Sequence, residues 1–314
     1  LSDIMQYSSD RRLHFISKPT KENIIWEKLY YHSIMSTSEG RNPAIELMNQ
    51  RLSRLITKEG RQKALSFVPR SSDVIVATAS KCGTTWMQQI VHQLRSGGDM
   101  TFTDIDEVVL WIDLAYDVGQ DLDAEHTAVL KAENIFAFNF FGKKYFQPGE
   151  ITLDEFVKNI MNRQKMRVNY FQHLLSWWPK RNDPNVLFLL YEDMLDDLES
   201  AVRAVASFMG IKDEASITNA VKMSTFDFMK QNRDKFSTNL VSSYRNKAMG
   251  IPEGVVSQRV ATGPATKGRE MMDEGTKQAV QGMWNEIVTK ETGFQDYSEF
   301  RDGLKKEKQS GVTR

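Results

Sequence analysis

The stretch "DVIVATASKCGTTWMQQI", Asp73 to Ile90, decides how this chain folds. Its first seven residues form a short, β-branched apolar run of the kind buried in a parallel sheet. From Thr84 the period changes: Met87, Ile90, Val91 and Leu94 recur at three and four, and "SGGD" at Ser96 to Asp99 ends the pattern. The spacing predicts a strand, a tight loop and a helix. A loop feeding a helix N-terminus offers unpaired backbone N–H groups and the positive end of the helix dipole, which together bind an anion. Lys81 adds a full charge, Gly83 lets the backbone come close, and Thr84 and Thr85 add hydroxyl donors. The common triphosphate loop sets its lysine directly before Ser or Thr. Here the lysine precedes the glycine, so that pattern fails. Taken alone, the string also fits an ordinary threonine helix cap.

Around this stretch the composition is that of a globular protein. With 314 residues, 40% of them hydrophobic, the chain can bury the core of one large α/β domain or of two smaller ones. Lys plus Arg equals Asp plus Glu at 41 each, so no global field draws in nucleic acid or an anionic membrane. Cys82 is the single cysteine, which excludes an internal disulfide and fits a reducing compartment, with the cytoplasm as the expected location. It reads as a small buried residue rather than a reactive thiol. The longest apolar runs are short pieces such as "VLFLLY", and "LSDIMQYSSDRR" at the start has no signal-peptide core.

Three segments are expected: an N-terminal helical segment over residues 1–70, the main domain over 71–303, and a disordered tail over 304–314. In the first, Ile45, Met48, Leu52 and Leu55 fall at helical spacing, which predicts helices over a sheet edge. In the second, a helical region runs from about Leu153 to Trp178 and stops at Pro179. "NVLFLLYEDM", from Asn185, predicts a second buried strand, and Leu195, Leu198, Val202, Val205 and Met209 a helix that ends at Gly210. Strands alternating with helices predict an α/β fold, a parallel sheet covered on both faces.

The order Lys, small residue, Gly, Thr, Thr, Trp resembles the 5′-phosphosulfate loop of the cytosolic sulfotransferases. "VLFLLYEDM" resembles that family's strand ending in Tyr-Glu-Asp, and "MSTFDFMK", Met223 to Lys230, its Thr-Ser-Phe segment. The resemblance covers most of the chain from about Asp73 onward. It implies a P-loop-like α/β fold that binds 3′-phosphoadenosine 5′-phosphosulfate (PAPS) as co-substrate, with no metal. It also implies that Lys81 stabilises charge on the leaving phosphate oxygen, with Cys82 at the next loop position. Gly83, Thr84, Thr85 and Trp86 would cradle the 5′-phosphate and stack on the adenine, and Tyr191, Ser224, Thr225, Phe226 and Gly263 match further cofactor positions. The residues alone leave plainer roles open: Tyr191 as core, Ser224 and Thr225 as helix caps, Phe226 as packing. The expected partner is a small-molecule acceptor, with no nucleic acid or membrane; a homodimer is compatible.

The pattern breaks in two places. The family's Lys-Thr-His segment, which supplies the base, and its Arg/Ser segment, which anchors the 3′-phosphate, are missing between the loop and the long helix. "ENIFAFNFFGKKYF", Glu133 to Phe146, resembles the family's segment just after the Arg strand, so the chain jumps at about Leu130 and a strand is expected to be lost. Of the five histidines, His14, His32, His92, His126 and His173, only His126 is near the expected position, and it lacks the preceding Lys-Thr. The counterpart of the family's basic loop over the cofactor is "RVATGPATKGR", Arg259 to Arg269, with Ala261 and Thr262 where basic residues are expected. Lys267, Arg269 or Arg259 are then alternative sources of charge. The aromatic cluster Phe136, Phe138, Phe140, Phe141, Tyr145 and Phe146 suits a lipophilic acceptor pocket, although half of it is expected in the core. The leading expectation is a sulfotransferase acting on a hydroxyl or amine. The alternative is a catalytically inactive nucleotide-binding relative. A P-loop kinase is disfavoured by the lysine position and by the lack of a Mg²⁺-binding acidic strand end.

Overall fold

A computed structural model describes residues 42–70, 72–79, 82–124, 129–134, 150–152, 155, 170–260 and 273–309. Asn42 caps helix α1 (Pro43–Ser53) by accepting from the Ala44 N–H, and Pro43 needs no N–H at the first helical position. Thr57 caps α2 (Lys58–Ser66) in the same way and is itself held by Asp117. Ile45 and Met48 are buried on α1 as their spacing predicts, with Leu52 half-buried; Leu55, beyond the end of the helix, is buried too, and it and Met48 pack with Trp111, Leu114 and Val118 at the sheet edge.

Strand β1 (Val74–Ala79) is followed by helix α3 (Thr84–Ser96), and then come strands β2 (Leu110–Trp111) and β3 (Val129–Asn134). The sheet order is β1-β3-β2, parallel throughout, with Val74 opposite Val129, Ala79 opposite Asn134, and Leu110 opposite Leu130. Successive strand residues point to opposite faces. Val76 joins a core with Ile90, Val91 and Leu94 of α3, while Ile75 joins Trp177 and Val186 on the other side. Both faces of the sheet are therefore covered, the parallel α/β arrangement that the sequence predicts. The strand paired with β1 is built from the residues at the Leu130 junction.

Of the helix expected from Leu153, the described part is α4 (Tyr170–Trp177), which gives way to a 3-10 turn at Trp178–Lys180 containing Pro179. The strand expected at Asn185 to Met194 is not formed. Val186 to Leu190 alternate as a strand would, with Leu187 and Leu189 facing one core and Phe188 and Leu190 another. No described strand lies alongside to complete a ladder, and the Leu190 carbonyl already accepts from Asp193 and Met194, so helix α5 (Tyr191–Asp196) starts there.

Helices α6 (Leu198–Met209), α7 (Glu214–Met223), α8 (Phe226–Gln231) and α9 (Asn239–Met249) come next. Helix α10 (Glu274–Met283) runs on through a π-helical stretch at Trp284–Thr289. The tail expected to be disordered from residue 304 is helical as far as Gln309, within α11 (Tyr297–Gln309). The reason is packing: Phe300 and Leu304, one turn apart, are buried with Trp284 and Val288, and Arg181 pairs with Glu307 at 3.2 Å. Residues 310–314 lie outside the described residues. No helix among the described residues is long and apolar enough to cross a membrane.

Candidate functional site

The site is assembled where β1 ends and α3 begins. The hydroxyls of Thr78 and Thr84 lie 2.5 Å apart and fasten the strand to the first turn of the helix. Gly83 has a left-handed backbone, φ +90°, which glycine adopts without a side-chain penalty. A Cβ at Gly83 would lie 2.8 Å from Cδ2 of Tyr191, so the loop backbone rests directly on that ring. No side chain among the described residues caps α3, whose first N–H groups can take another acceptor. Thr84 is buried, and Cys82 and Thr85 are half-buried. Lys81 and Gly263 lie outside the described residues, as do Lys267, Arg269, His126 and the aromatic cluster from Phe136 to Phe146.

Trp86 links this loop to two other segments of the chain. Its indole N–H donates to the Ser224 carbonyl at 2.6 Å, and its ring meets Tyr191 edge-on at 5.7 Å. A second tether runs from the Gln89 side chain to the Met223 carbonyl at 3.0 Å. Trp86, Tyr191 and Ser224, far apart in sequence, are thereby brought together. Ser224 is 0% exposed and its hydroxyl has no partner among the described residues, an uncommon state for a buried polar group. Thr225 caps α8, accepting from the Phe228 N–H at 3.3 Å and donating to the Lys222 carbonyl, so the plainer reading of that residue also holds. Phe226 is 50% exposed, with the Lys230 ammonium 5.8 Å from its ring.

Burial, and then the neighbouring Glu192 and Cys82, raise the pKa of the Tyr191 hydroxyl above its ordinary value, so it stays protonated at neutral pH. The Tyr170 hydroxyl is raised as well, in the order burial, Cys82, Glu192. Arg259, one of the alternative sources of charge, is not directed at the loop. It is buried against Asp106 and lies 4.0 Å from Asp104, and Gln88 donates to Asp106 at 3.0 Å. Asp104 is held above the usual carboxylate range, chiefly by burial and next by Asp106.

His92 is committed as well, accepting from Arg95 at 3.0 Å and lying 3.2 Å from the Asp99 carbonyl. One contribution was not foreseen from the sequence. Glu192 and Asp193 bind Tyr297 and Arg301 of α11, a link whose only sequence signal was two acids directly after Tyr191.

A model of the sulfotransferase domain matches residues 71–127 and 135–283, well over half of the chain. The chain belongs to the sulfotransferase family. The break in the match coincides with the Leu130 junction, and the family match ends before the π-helical stretch and α11. Among relatives, Sulfotransferase 1E1 of Cavia porcellus is 25% identical, covering 62% of this chain and 75% of that protein. Luciferin sulfotransferase of Photinus pyralis is 28% identical, covering 69% and 74%. A retinol dehydratase solved with androsterone and the inactive cofactor PAP superposes with a TM-score of 0.56 at 18% identity, over 80% of this chain and 88% of that one. Mouse sulfotransferase SULT7A1 complexed with PAP gives 0.53 at 17% identity, over 74% and 90%. The fold is the α/β sulfotransferase fold.

Proposed function

We propose that this sulfotransferase-family protein moves a sulfuryl group from PAPS to a hydroxyl or amine of a small, lipophilic acceptor. The observation that carries this is the uncapped start of α3, reached by a left-handed glycine, with Trp86, Tyr191 and the orphaned Ser224 hydroxyl gathered beside it. These features fit an adenosine phosphosulfate: free N–H groups for the phosphate end, a tryptophan face for the base, a buried hydroxyl for a polar edge. The residues proposed to hold it are Lys81, Cys82, Gly83, Thr84, Thr85 and Trp86 at the 5′ end, with Tyr191, Ser224, Thr225, Phe226 and Gly263 around the nucleoside. When bound, the co-substrate supplies the activated sulfuryl group. Lys81 supplies the positive charge that stabilises the departing phosphate oxygen, by electrostatics and without a metal.

Family membership supports the enzyme reading over an inactive binding protein. Relatives named for luciferin and for amines support a small hydroxyl or amine acceptor. We further propose a cytoplasmic location, a domain that begins near residue 71 with the helical segment packed on it, and a shortening of the chain near Leu130. Radiolabelled sulfate transfer from PAPS to a panel of phenols, alcohols and amines tests the activity. Transfer abolished by Lys81→Ala is expected, and no transfer above that control would overturn the proposal.

A further inference from the structure

We propose that Tyr297 and Arg301, on α11, are positioning residues for the phosphate loop, acting through Glu192 and Asp193 on Tyr191. The inference rests on the cofactor reading above and adds residues beyond the part of the chain that matches the family. Helix α5 has six residues and no side-chain N-cap, too short and too poorly capped to hold its own geometry. Its first residue is the ring that lies under Gly83 and edge-on to Trp86. Whatever fixes α5 therefore fixes the floor of the loop.

Helix α11 does this through charge-assisted bonds. The Tyr297 hydroxyl donates to the Glu192 carboxylate. The Arg301 guanidinium donates to Asp193 at 2.7 Å and to Asp196 at 2.5 Å, and Lys305 stands 3.4 Å from Asp193. Bonds with an ionised partner are stronger than neutral ones, and a guanidinium bridging two carboxylates fixes direction as well as distance. Helix α11 is seated in an aromatic cluster that Tyr297 shares: Phe300 stacks on the Tyr297 ring at 6.2 Å and lies 5.1 Å from Trp178 and 5.8 Å from Trp284. Helix α11 is therefore a support tied to the loop through Tyr191. A support without a link to ligand binding would not need to join the two residues that directly follow that tyrosine.

The test uses the full chain and measures the affinity for adenosine 3′,5′-bisphosphate by titration calorimetry well below the unfolding temperature. Tyr297→Phe keeps the ring and loses the hydroxyl, Arg301→Gln loses the cation, and Val288→Ala removes bulk from the same buried cluster at a residue outside α11. Tyr297→Phe and Arg301→Gln should each weaken binding about ten-fold, equivalent to ~1.4 kcal/mol, while Val288→Ala lowers thermal stability and leaves affinity unchanged. In a Tyr191→Leu background the Tyr297→Phe loss should vanish, because the route through the ring is already cut. Wild-type affinity in both variants, an equal loss in Val288→Ala, or full additivity with Tyr191→Leu would each overturn the inference while leaving the cofactor reading intact. Failure of the wild-type chain to bind would overturn both.

Discussion

Replacing Gly83 with alanine tests the loop geometry at its narrowest point. Two costs can be separated. The left-handed backbone, φ +90°, costs an alanine ~1–2 kcal/mol over glycine. The new Cβ would also stand 2.8 Å and 3.2 Å from Cδ2 and Cε2 of Tyr191. Carbon contacts settle near ~3.5 Å, so the ring must retreat by roughly 0.7 Å. It is flanked by Trp86 and tied through Glu192 and Asp193 to α11, and overpacking of this kind costs ~1–3 kcal/mol. The sum, ~2–5 kcal/mol, corresponds to a fall in the melting temperature on the order of 5–15 °C for a domain of this size. Urea unfolding gives the stability, and calorimetric titration with adenosine 3′,5′-bisphosphate gives the site. In a Tyr191→Ala background the steric part should disappear, leaving Gly83→Ala only its backbone cost. An equal cost in both backgrounds would show that the ring is not the obstacle. Unchanged stability and affinity in Gly83→Ala would refute the left-handed loop itself.

Arg259→Met leaves Asp104 and Asp106 buried without their cation and should cost ~3–5 kcal/mol in urea unfolding; a loss below ~1 kcal/mol would contradict the ion-pair geometry. His92 is held below its ordinary value of 6.5, first by burial and then by Arg95, against the opposing pull of Asp99. As pH falls from about 6.5 the unfolded chain takes up this proton before the folded one does, so stability is lost downward toward the folded-state value. His92→Gln should flatten that part of the stability curve between pH 7 and pH 5, and parallel curves for the two proteins would refute it. Leu304→Ala should destabilise by ~2–5 kcal/mol, as for a leucine in a packed core, whereas a loose tail would give no change in thermal unfolding.

Much of this was legible in the sequence because it is local. The strand-loop-helix at Asp73 to Leu94 is written in composition, period and one glycine, and Ile90, Val91 and Leu94 are buried as that period requires. Val186 to Leu190 carry a correct strand alternation but no partner strand among the described residues, and pairing is a non-local property that no window of sequence reports. The helix after Gly303 was missed because "GLKKEKQ" is strongly charged. Its one apolar residue, Leu304, is decisive only because Phe300 and Trp284 wait beside it. Arg259 looked available for the cofactor because its two acidic partners lie more than a hundred residues earlier.

The loop is also the place where local satisfaction and stability diverge. The start of α3 has no side-chain cap, and the Ser224 hydroxyl is buried without a partner among the described residues. An unmet buried group costs ~1–3 kcal/mol, and a glycine in place of a capping side chain a few tenths more. Trp86 joins these two features through a single hydrogen bond, so they belong to one place rather than to two unrelated defects. The side-chain oxygens of Gln88, Gln89 and Gln93 are unpartnered too, but each of those amides keeps a bond through its nitrogen to Asp106, Met223 or Asp99. Ser224 has no such second bond among the described residues, a state that the buried Thr276 hydroxyl in the first turn of α10 shares. Costs concentrated beside a glycine-led helix start are best explained by a ligand that offsets them. The same ligand must then raise the unfolding free energy as its concentration rises above Kd, because it meets these groups only in the folded chain.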